Sequence, residues 1–431
     1  VQGPTGIIAH LVRGFGEDGM WYEGENYHLF ALRGQLVAMG WARQAGLDLL
    51  EDSRLAVRLE AALRAPAITA LPDHTFPARK DSRFGVSLAQ PMYLELWEVG
   101  LARLGDSHSD LWGWLVALYA EPGGPAERFD SYLHEAGEMA PPGGRRNRSD
   151  LSWWALLEMV PELPDATGAW APGNALLEGQ GLAILRQGDR YASLECGHLG
   201  GGHGHADRLH LTLHADGQHW LRDLGAGSYV TRDLFWYRST LAHNAPRLDG
   251  VSQEPGDAVC RAFDEQGSWA WARGSFGPLS RTLVAGPSYL VDVVELSGSE
   301  EHLLELPWHL SGRVDVVTAG SWSSAAPLPD ELVTDPERFA PGADGPIQLR
   351  AHAGSATLTL HLIFEGELLR AAGPGQPGSS SRETFYLARS RGRNQRLIAL
   401  LTSTHGSTII RSAAAAGDVI EVETTEGLER H

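Results

Sequence analysis

Three segments near the middle of the chain carry residues suited to binding a metal ion. The glycine-rich stretch GGGHGHADRLHLTLHADG, residues 200–217, contains His203 and His205, while HWLRDLGAGSY and RSTLAHNAPRLDG contain Asp223 and His243. Glycines let a backbone approach a ligand closely. The set His205, Asp223 and His243 offers two imidazoles and a carboxylate, which suit Zn²⁺. Because the chain has 18 histidines, three hydrogen-bonded or surface residues are the alternative.

A second candidate site lies at the predicted start of a helix. The segment MWYEGENYHLFALRG, residues 20–34, places Asn26 and His28 there. A helix N-terminus attracts anions because its unpaired N–H groups and its dipole are both positive at that end. The segment is therefore a candidate anion site. A partly buried His28 with a satisfied ring is the alternative.

Basic residues cluster in the predicted loop FPARKDSRFG, residues 76–85, of an otherwise acidic chain. Arg79, Lys80 and Arg83 would suit a uronate or sulfate ligand, because their cations bind oxyanions through charged hydrogen bonds. A solvated run of charges is the alternative.

Tyr229, in GAGSYVTRDLFWYRSTLAHN, is a candidate acid or base. Neighbouring cations would lower the pKa of its hydroxyl, and Arg238 follows closely in the sequence. Arg238 would also suit an acidic substrate. The alternative for Tyr229 is a strand aromatic that packs on its own face.

Two regions of different hydrophobic period must position these residues. Up to about residue 168, apolar residues recur at helical spacing between short Pro/Gly breaks, which predicts antiparallel helices. From about residue 175, apolar and polar residues alternate, which predicts an antiparallel β-sandwich. The sequence therefore predicts an α+β fold, with a helical domain over residues 1–172 and a β domain over residues 173–431.

Composition and charge exclude several classes of protein. The net charge of −19 argues against general nucleic-acid binding, although a local basic cleft for a polyanion is compatible with it. No apolar run reaches the roughly 18 residues of a membrane helix. The 2 cysteines exclude a disulfide framework. No signal peptide is visible and the first residue is not Met, so cytoplasmic and periplasmic locations both stay open, as does the oligomeric state.

Together, these segments resemble the heparinase II/III-like polysaccharide lyases, which include oligoalginate lyases. HGHAD, RDLGAGSY and RSTLAHNAPRLDG are similar to the family's HGH(x)D turn, its D-x-G-x-x-x-Y strand end and its R-S-T-x-x-H-N segment, in the same order. The helical half is similar in DGMWYEGENYHLFALRG and FPARKDSRFGVSL. The resemblance implies an incomplete (α/α) toroid, which seems to lack an N-terminal part here, followed by an antiparallel β-sandwich.

The resemblance also implies an activity, which is β-elimination on a uronic-acid-containing glycan of alginate, heparan sulfate or heparin type. Exolytic action on oligosaccharides is the expected mode. His203 would be a catalytic histidine and Tyr229 would line the same site. His28 would remove the C-5 proton or, with Asn26, bind the uronate carboxylate.

The same resemblance implies a metal in the β domain. His205, Asp223 and His243 match the family's zinc ligands, so a structural Zn²⁺ that joins three segments is expected. On this interpretation His203 points to the substrate and His205 to the metal.

One position departs from the family pattern. Family members carry a catalytic tyrosine a little over fifty residues beyond the position of His28, whereas this chain has Phe84 in DSRFG. Three explanations stay open: an engineered Tyr→Phe variant, an acid or base supplied by Tyr229 or His28, or a relative that binds glycans without cleaving them. A glycoside hydrolase is a further alternative and would need a pair of carboxylates. The carboxylates available for that pair are Glu23, Glu25 and Asp81.

Overall fold

The computed structural model describes residues 3, 6–105, 108–121, 147–164, 170–343, 345–403, 410–417 and 419–431. The chain divides into a helical unit, residues 1–173 and 200–203, and a β unit, residues 174–199 and 204–431. Helices precede antiparallel strands, as the hydrophobic period predicts, so the mixed α+β class is confirmed. None of the helices in the described ranges is long and apolar enough to cross a membrane.

Within the described residues, the helical unit contains six α-helices. They are α1 (Ile7–Arg13), α2 (Glu25–Gln44), α3 (Ser53–Thr69), α4 (Pro91–Leu104), α5 (Ser109–Ala120) and α6 (Trp153–Glu158). Short 3₁₀ turns lie at Leu49–Glu51, Arg148–Asp150 and Gly201–His203.

Helix α4 shows how the sequence sets the bounds and packing of these helices. Pro91 takes the first position, where its missing N–H would have no helical partner, and Gly105 ends the helix at a φ of +85°. On the buried face, Nε1 of Trp97 donates to the carbonyl of Leu63 in α3 at 3.0 Å. The core of this unit therefore packs around α4, and the indole finds a polar partner inside it.

The β unit contains short helical turns at α7 (Leu234–Tyr237) and Thr240–Ala242. Its strands are β1 (Ala175–Leu177), β2 (Leu182–Gln187), β3 (Arg190–Glu195), β4 (Leu211–Ala215), β5 (Gln218–Leu221), β6 (Arg247–Leu248), β7 (Val259–Gln266), β8 (Trp269–Phe276), β9 (Leu279–Ala285), β10 (Leu290–Trp308), β11 (Arg313–Val316), β12 (Gly320–Ser324), β13 (Thr334–Pro341), β14 (Ile347–Ala353), β15 (Ala356–Ile363), β16 (Glu367–Pro374), β17 (Arg382–Ser403), β18 (Ile410–Ala416), β19 (Val419–Thr424) and β20 (Leu428–Arg430).

These strands form three antiparallel sheets. Strands β1 to β5 form a five-stranded sheet in sequence order. A 12-stranded sheet runs β11-β14-β15-β17-β10-β9-β8-β7, with β6 on β10 and with β16, β13 and β12 branching from β17. Strands β18 to β20 form a small sheet. One hydrophobic core contains residues of both larger sheets, as expected for a β-sandwich.

Strand β4 lies between His205 and Asp223 of the candidate metal set in the sequence. Leu211 and Leu213 lie in the core shared by the two larger sheets. Thr212 lies on the opposite face and is also buried, so this polar face is not a solvent face. The strand begins at Leu211 and not earlier, because Leu209 adopts a φ of +64°.

Candidate functional site

In the helical unit, the imidazole of His203 contacts two carboxylates and an aromatic ring. Its Nδ1 lies 2.8 Å from Oδ2 of Asp81, and its Nε2 lies 3.7 Å from Oε1 of Glu23. The ring of Tyr27 stacks on the imidazole with centroids 4.0 Å apart. The His203 side chain is 28% exposed and that of Asp81 is fully buried. The ring is therefore held by a buried carboxylate and is still accessible from outside.

Backbone contacts hold the loop around Asp81 in place. The Asp81 N–H donates to the carbonyl of His203 at 3.1 Å, and the Asn26 N–H donates to Oγ of Ser82 at 3.2 Å. The glycine-rich turn, the basic loop and the first turn of α2, which the sequence suggested as separate sites, thus meet in this unit.

Two of the three basic residues in the loop at residues 76–85 are buried and have internal partners. Nη1 of Arg79 donates to Oε1 of Glu25 at 3.0 Å, and Nζ of Lys80 donates to the carbonyl of Tyr22 at 3.2 Å. Burial raises the pKa of Glu25, although Arg79 and Lys80 act to lower it. Burial and these partners favour a structural role for Arg79 and Lys80, because a buried cation that loses its partner is strongly destabilising, and substrate binding by the two residues stays a prediction. Arg83 is partly exposed.

The side chain of His28 is fully buried in the helical unit, and both of its ring nitrogens have partners. Its Nδ1 accepts from the N–H of Trp21 at 3.0 Å, and its Nε2 donates to the carbonyl of Ala62 at 2.8 Å. Burial lowers the pKa of His28 to about 3. A neutral ring with both nitrogens in hydrogen bonds offers no lone pair to a substrate, so the structure favours the buried, satisfied histidine.

Asn26 and Phe84 are both partly exposed. Asn26 is the second residue of α2, and its backbone N–H is the group held by Ser82. Phe84 follows Asp81 by three residues in the same loop, and its ring has no hydroxyl. Both side chains stay candidates for contact with a ligand.

In the β unit, four polar side chains surround the ring of His243. The ligand atoms of His205, Asp207 and His243 all lie within 4.8 Å of one another, and so do those of His210, Asp223 and His243. All five residues are buried. Each member of the predicted set thus lies in one of two groups that share His243: His205 lies with Asp207, and Asp223 lies with His210.

Asn244 and Arg281, which sequence reasoning missed, support this cluster. The Asn244 N–H donates to Nδ1 of His210 at 3.1 Å, and its side chain donates to the carbonyls of Leu211 and Arg222. Buried Arg281 donates to the carbonyl of Asn244 at 2.5 Å and forms a bidentate ion pair with Asp292. These contacts fix the segments that carry the cluster. Asn244 ends the RSTLAHN segment, whereas no local sequence pattern marks Arg281.

Several polar atoms of the cluster have no hydrogen-bond partner within the described part of the chain, which bears on whether the cluster could bind a cation. Among the residues that the structure describes, neither ring nitrogen of His243 nor Oδ2 of Asp223 has a hydrogen-bond partner. Oδ1 of Asp223 accepts from the N–H of Gly225 at 2.9 Å and lies 3.5 Å from Nδ1 of His243. Buried polar atoms without partners are uncommon, since their desolvation is costly. Imidazole and carboxylate donors of this kind therefore fit a divalent cation.

The cluster's charges shift the pKa values of its own members. Burial acts to lower the pKa of His243, but Asp223 and Asp207 raise it above its ordinary value. Burial acts to raise the pKa of Asp223, but His243 and His210 lower it overall. Burial lowers the pKa of His210 to about 4. Asp223 is therefore ionised at neutral pH, which is the form that binds a metal.

Tyr229 lies in the β unit between β5 and α7, outside any strand. Its side chain is 53% exposed, and Cζ of Arg238 lies 5.8 Å from its ring centre. A cation therefore lies near Tyr229, as the sequence suggested, at a cation–π distance. The alternative of an aromatic packed on a strand face does not describe this position.

Comparison with known proteins relates the chain to one family and one fold. Residues 172–406 match the family model described as "Heparinase II/III-like, C-terminal". No curated protein matches the chain. Among solved structures, heparinase III matches with a TM-score of 0.68 and 13% identity, over 99% of this chain and 62% of that structure.

Two further structures match in the same way. A mutant of heparan sulfate lyase HepC from Pedobacter heparinus has a TM-score of 0.67 and 14% identity, over 99% of this chain and 60% of that structure. Heparinase III with methylated lysines, the BT4657 gene product, has a TM-score of 0.64 and 15% identity, over 99% of this chain and 59% of that structure. At these identities the likeness concerns the fold, and the chain spans about three fifths of the length of these structures.

Proposed function

The chain belongs to the heparinase II/III-like family, and from this membership we propose that it is a polysaccharide lyase. It cleaves an acidic polysaccharide or oligosaccharide by β-elimination at a uronic acid. The observation that carries the proposal is the accessible imidazole of His203, which is held by the buried carboxylate of Asp81. As part of the same proposal, residues 1–172 belong to an (α/α) toroid domain and residues 173–431 form a β-sandwich domain.

Elimination needs a base at the C-5 proton, and His203 is suited to that role. The ring takes the proton through Nε2, the C–H electron pair forms the C-4=C-5 double bond, and the C-4–O-4 pair leaves with O-4. Because the ring becomes cationic, the nearby carboxylates of Asp81 and Glu23 stabilise it. With His203 as the base, the buried ring of His28 has a structural role.

The departing O-4 needs a proton, and Tyr229 is the proposed donor. Its hydroxyl group is on a half-exposed side chain beside Arg238. Proton transfer from a positioned side chain contributes roughly 10²–10⁴-fold to such a reaction. Arg238, Arg83 and Asn26 are the proposed groups for the uronate carboxylate and any sulfate.

The proposed metal is a structural Zn²⁺ held by His205, Asp223 and His243. When bound, it would join three segments of the β unit and satisfy the ring nitrogens of His243 and Oδ2 of Asp223, which have no hydrogen-bond partner among the described residues. Asp207 already pairs with Arg208, and both nitrogens of His210 already make hydrogen bonds. The remaining three residues are therefore preferred as ligands.

Heparan sulfate or heparin is the first proposed substrate and alginate is the second. The support for the first is the fold shared with a heparan sulfate lyase, and the support for the second is the resemblance of the helical segments to oligoalginate lyases. Action from a chain end on oligosaccharides is the proposed mode.

Phe84 supports a second candidate, which is a glycan-binding relative that has lost catalysis. The family tyrosine is absent from this position, while His203 and Tyr229 are retained. Hydrolysis receives less support. Two of the three carboxylates suggested for it have other partners, since Glu25 pairs with Arg79 and Asp81 with His203.

The test is incubation of the full chain with heparan sulfate, heparin, hyaluronan and alginate oligosaccharides. Ultraviolet absorbance of the unsaturated uronate reports elimination, and a separate assay reports new reducing ends. A signal on one glycan that His203→Gln abolishes supports the lyase and names its substrate. New reducing ends without ultraviolet absorbance would contradict it in favour of a hydrolase. Tight binding without any cleavage would favour the disabled relative.

A further inference from the structure

The carboxylate of Asp81 lies at one specific nitrogen of His203. Its Oδ2 is 2.8 Å from Nδ1, and the side chain of Asp81 is fully buried. An ionised carboxylate only accepts hydrogen bonds, so Nδ1 must carry the proton. In the neutral ring the lone pair is then on Nε2. Free histidine favours the opposite form, with the proton on Nε2, so the pairing reverses the ordinary preference.

A purely structural tie between the two segments is already supplied by other atoms. The Asp81 N–H donates to the carbonyl of His203, and the neighbouring Ser82 accepts from the Asn26 N–H. These contacts would persist if the Asp81 side chain were shortened or neutralised. Burying a carboxylate is costly unless it meets a positive or donating partner, so its placement at the imidazole calls for a specific role.

The other groups around the ring fit the same arrangement. Tyr27 stacks on the imidazole with an interplanar angle of 24°, which restrains the ring plane. Glu23 Oε1 lies 3.7 Å from Nε2, beyond hydrogen-bond length, and Glu23 Oε2 accepts from Nε1 of Trp21 at 2.8 Å. The indole thus holds Glu23 just short of Nε2, where it can stabilise a positive ring without taking the place of a substrate proton.

We propose that Asp81 is the positioning residue for His203: it fixes the Nδ1–H tautomer and so directs the lone pair of Nε2 to the substrate. The kinetic part of this proposal rests on the proposed lyase function, whereas the tautomer does not. Asp81 itself touches neither the uronate nor the departing oxygen. Its role is to orient the base and to stabilise the ring once the ring has taken a proton.

The test reads the tautomer directly. Histidine rings of the full chain are labelled with ¹⁵N, the His203 signals are identified by their loss in His203→Gln, and the spectrum shows which ring nitrogen carries the proton. We expect the proton on Nδ1 in the parent chain and a shift toward Nε2 in Asp81→Asn. Asp110→Asn is the matched control, because Asp110 is a carboxylate of the same unit that pairs with Arg64. It should leave the His203 signals unchanged.

A second experiment measures kcat and KM of the Asp81 variants on the glycan that the parent chain cleaves. Asp81→Asn should lower kcat by roughly 10²–10⁴-fold and leave KM within about threefold, and it should add nothing in a His203→Gln background. Asp81→Glu, which keeps a carboxylate, should recover part of kcat. If Asp81→Asn does not fold by circular dichroism, the parent spectrum and Asp81→Glu carry the test.

The outcomes distinguish the positioning role of Asp81 from the proposed lyase function. A proton on Nε2 in the parent chain, or an unchanged tautomer in folded Asp81→Asn, would overturn the positioning role. The expected tautomer in a chain that cleaves none of the glycans would uphold the positioning of His203 and contradict the proposed lyase.

Discussion

Nδ1 of His203 lies 2.8 Å from Oδ2 of Asp81, although 122 positions separate the two residues in the sequence. The carboxylate is buried and the imidazole is accessible, which is the arrangement expected when one group orients and the other meets a ligand. The pairing also links the glycine-rich turn to the basic loop. It explains why a turn of high flexibility is ordered around a single histidine.

Replacement of His203 should abolish elimination without unfolding the chain. His203→Gln removes the proposed base from a partly exposed position, so kcat should fall by roughly 10²–10⁴-fold. Release of unsaturated uronate is the measurement, and the thermal midpoint is the check on folding. His352→Gln, at a partly exposed histidine of the β unit, is the control. Undiminished activity in His203→Gln would show that another group removes the proton.

Addition of a hydroxyl at position 84 should raise activity if the family tyrosine is the missing acid or base. The Phe84 side chain is partly exposed, so Phe84→Tyr should fold normally. In that case kcat should rise at least tenfold, since a positioned proton donor contributes roughly 10²–10⁴-fold, whereas kcat should stay unchanged if Tyr229 is the donor, as proposed. Phe84→Leu is the control for changes in packing. Equal rates in Phe84→Tyr and the parent chain would assign the acid to another group, such as Tyr229.

The buried ring of His28 should make stability depend on pH. Burial lowers its pKa from 6.5 to about 3, so below pH 6.5 the unfolded chain binds a proton that the folded chain excludes. The contribution of the neutral ring is complete above pH 6.5 and is lost as the pH falls toward 3. Between about pH 8 and about pH 5.5, this group alone should lower the free energy of unfolding by about 1.4 kcal/mol.

Urea unfolding of the parent chain and His28→Gln at both pH values measures this effect. The amide keeps one donor and one acceptor for the Ala62 carbonyl and the Trp21 N–H, but it does not titrate. The contributions of other buried histidines cancel in the comparison. If the free energy of unfolding depended on pH identically in both chains, the ring of His28 would not be held buried in its neutral form.

Local patterns in the sequence predict the elements and the residue types of the β-unit cluster. The change of hydrophobic period near residue 175 predicts helices followed by strands, and His205, Asp223 and His243 all lie at turns or strand ends. Strands β4 and β5 are neighbours, which brings the segments of His205 and Asp223 together. The segment of His243 precedes β6, which belongs to the other sheet, so its arrival at the cluster depends on long-range packing.

The burial and the partners of the individual side chains depend on long-range packing, which no local pattern in the sequence reveals. The sequence of the loop around Arg79 and Lys80 suggests a solvated cationic cluster. In the structure, Arg79 is buried and pairs with Glu25, which lies 54 positions away. His28 reads as a helix-start ligand, yet a carbonyl 34 positions away satisfies its Nε2. The pairing of Asp81 with His203 has the same cause, since 122 positions separate the two residues.

The cluster around His243 should bind one zinc ion per chain and should be stabilised by it. Neither ring nitrogen of His243 has a hydrogen-bond partner within the described residues, so a cation restores the interactions lost on burial. A ligand at about a thousand times its Kd stabilises the folded state by about 4 kcal/mol, so chelation should lower the thermal midpoint by several degrees and zinc should restore it. Elemental analysis should find the metal in the parent chain and in His352→Ala, but not in His243→Ala. If chelation leaves the midpoint unchanged and no metal copurifies, the cluster is a hydrogen-bonded network and the proposed zinc site is wrong.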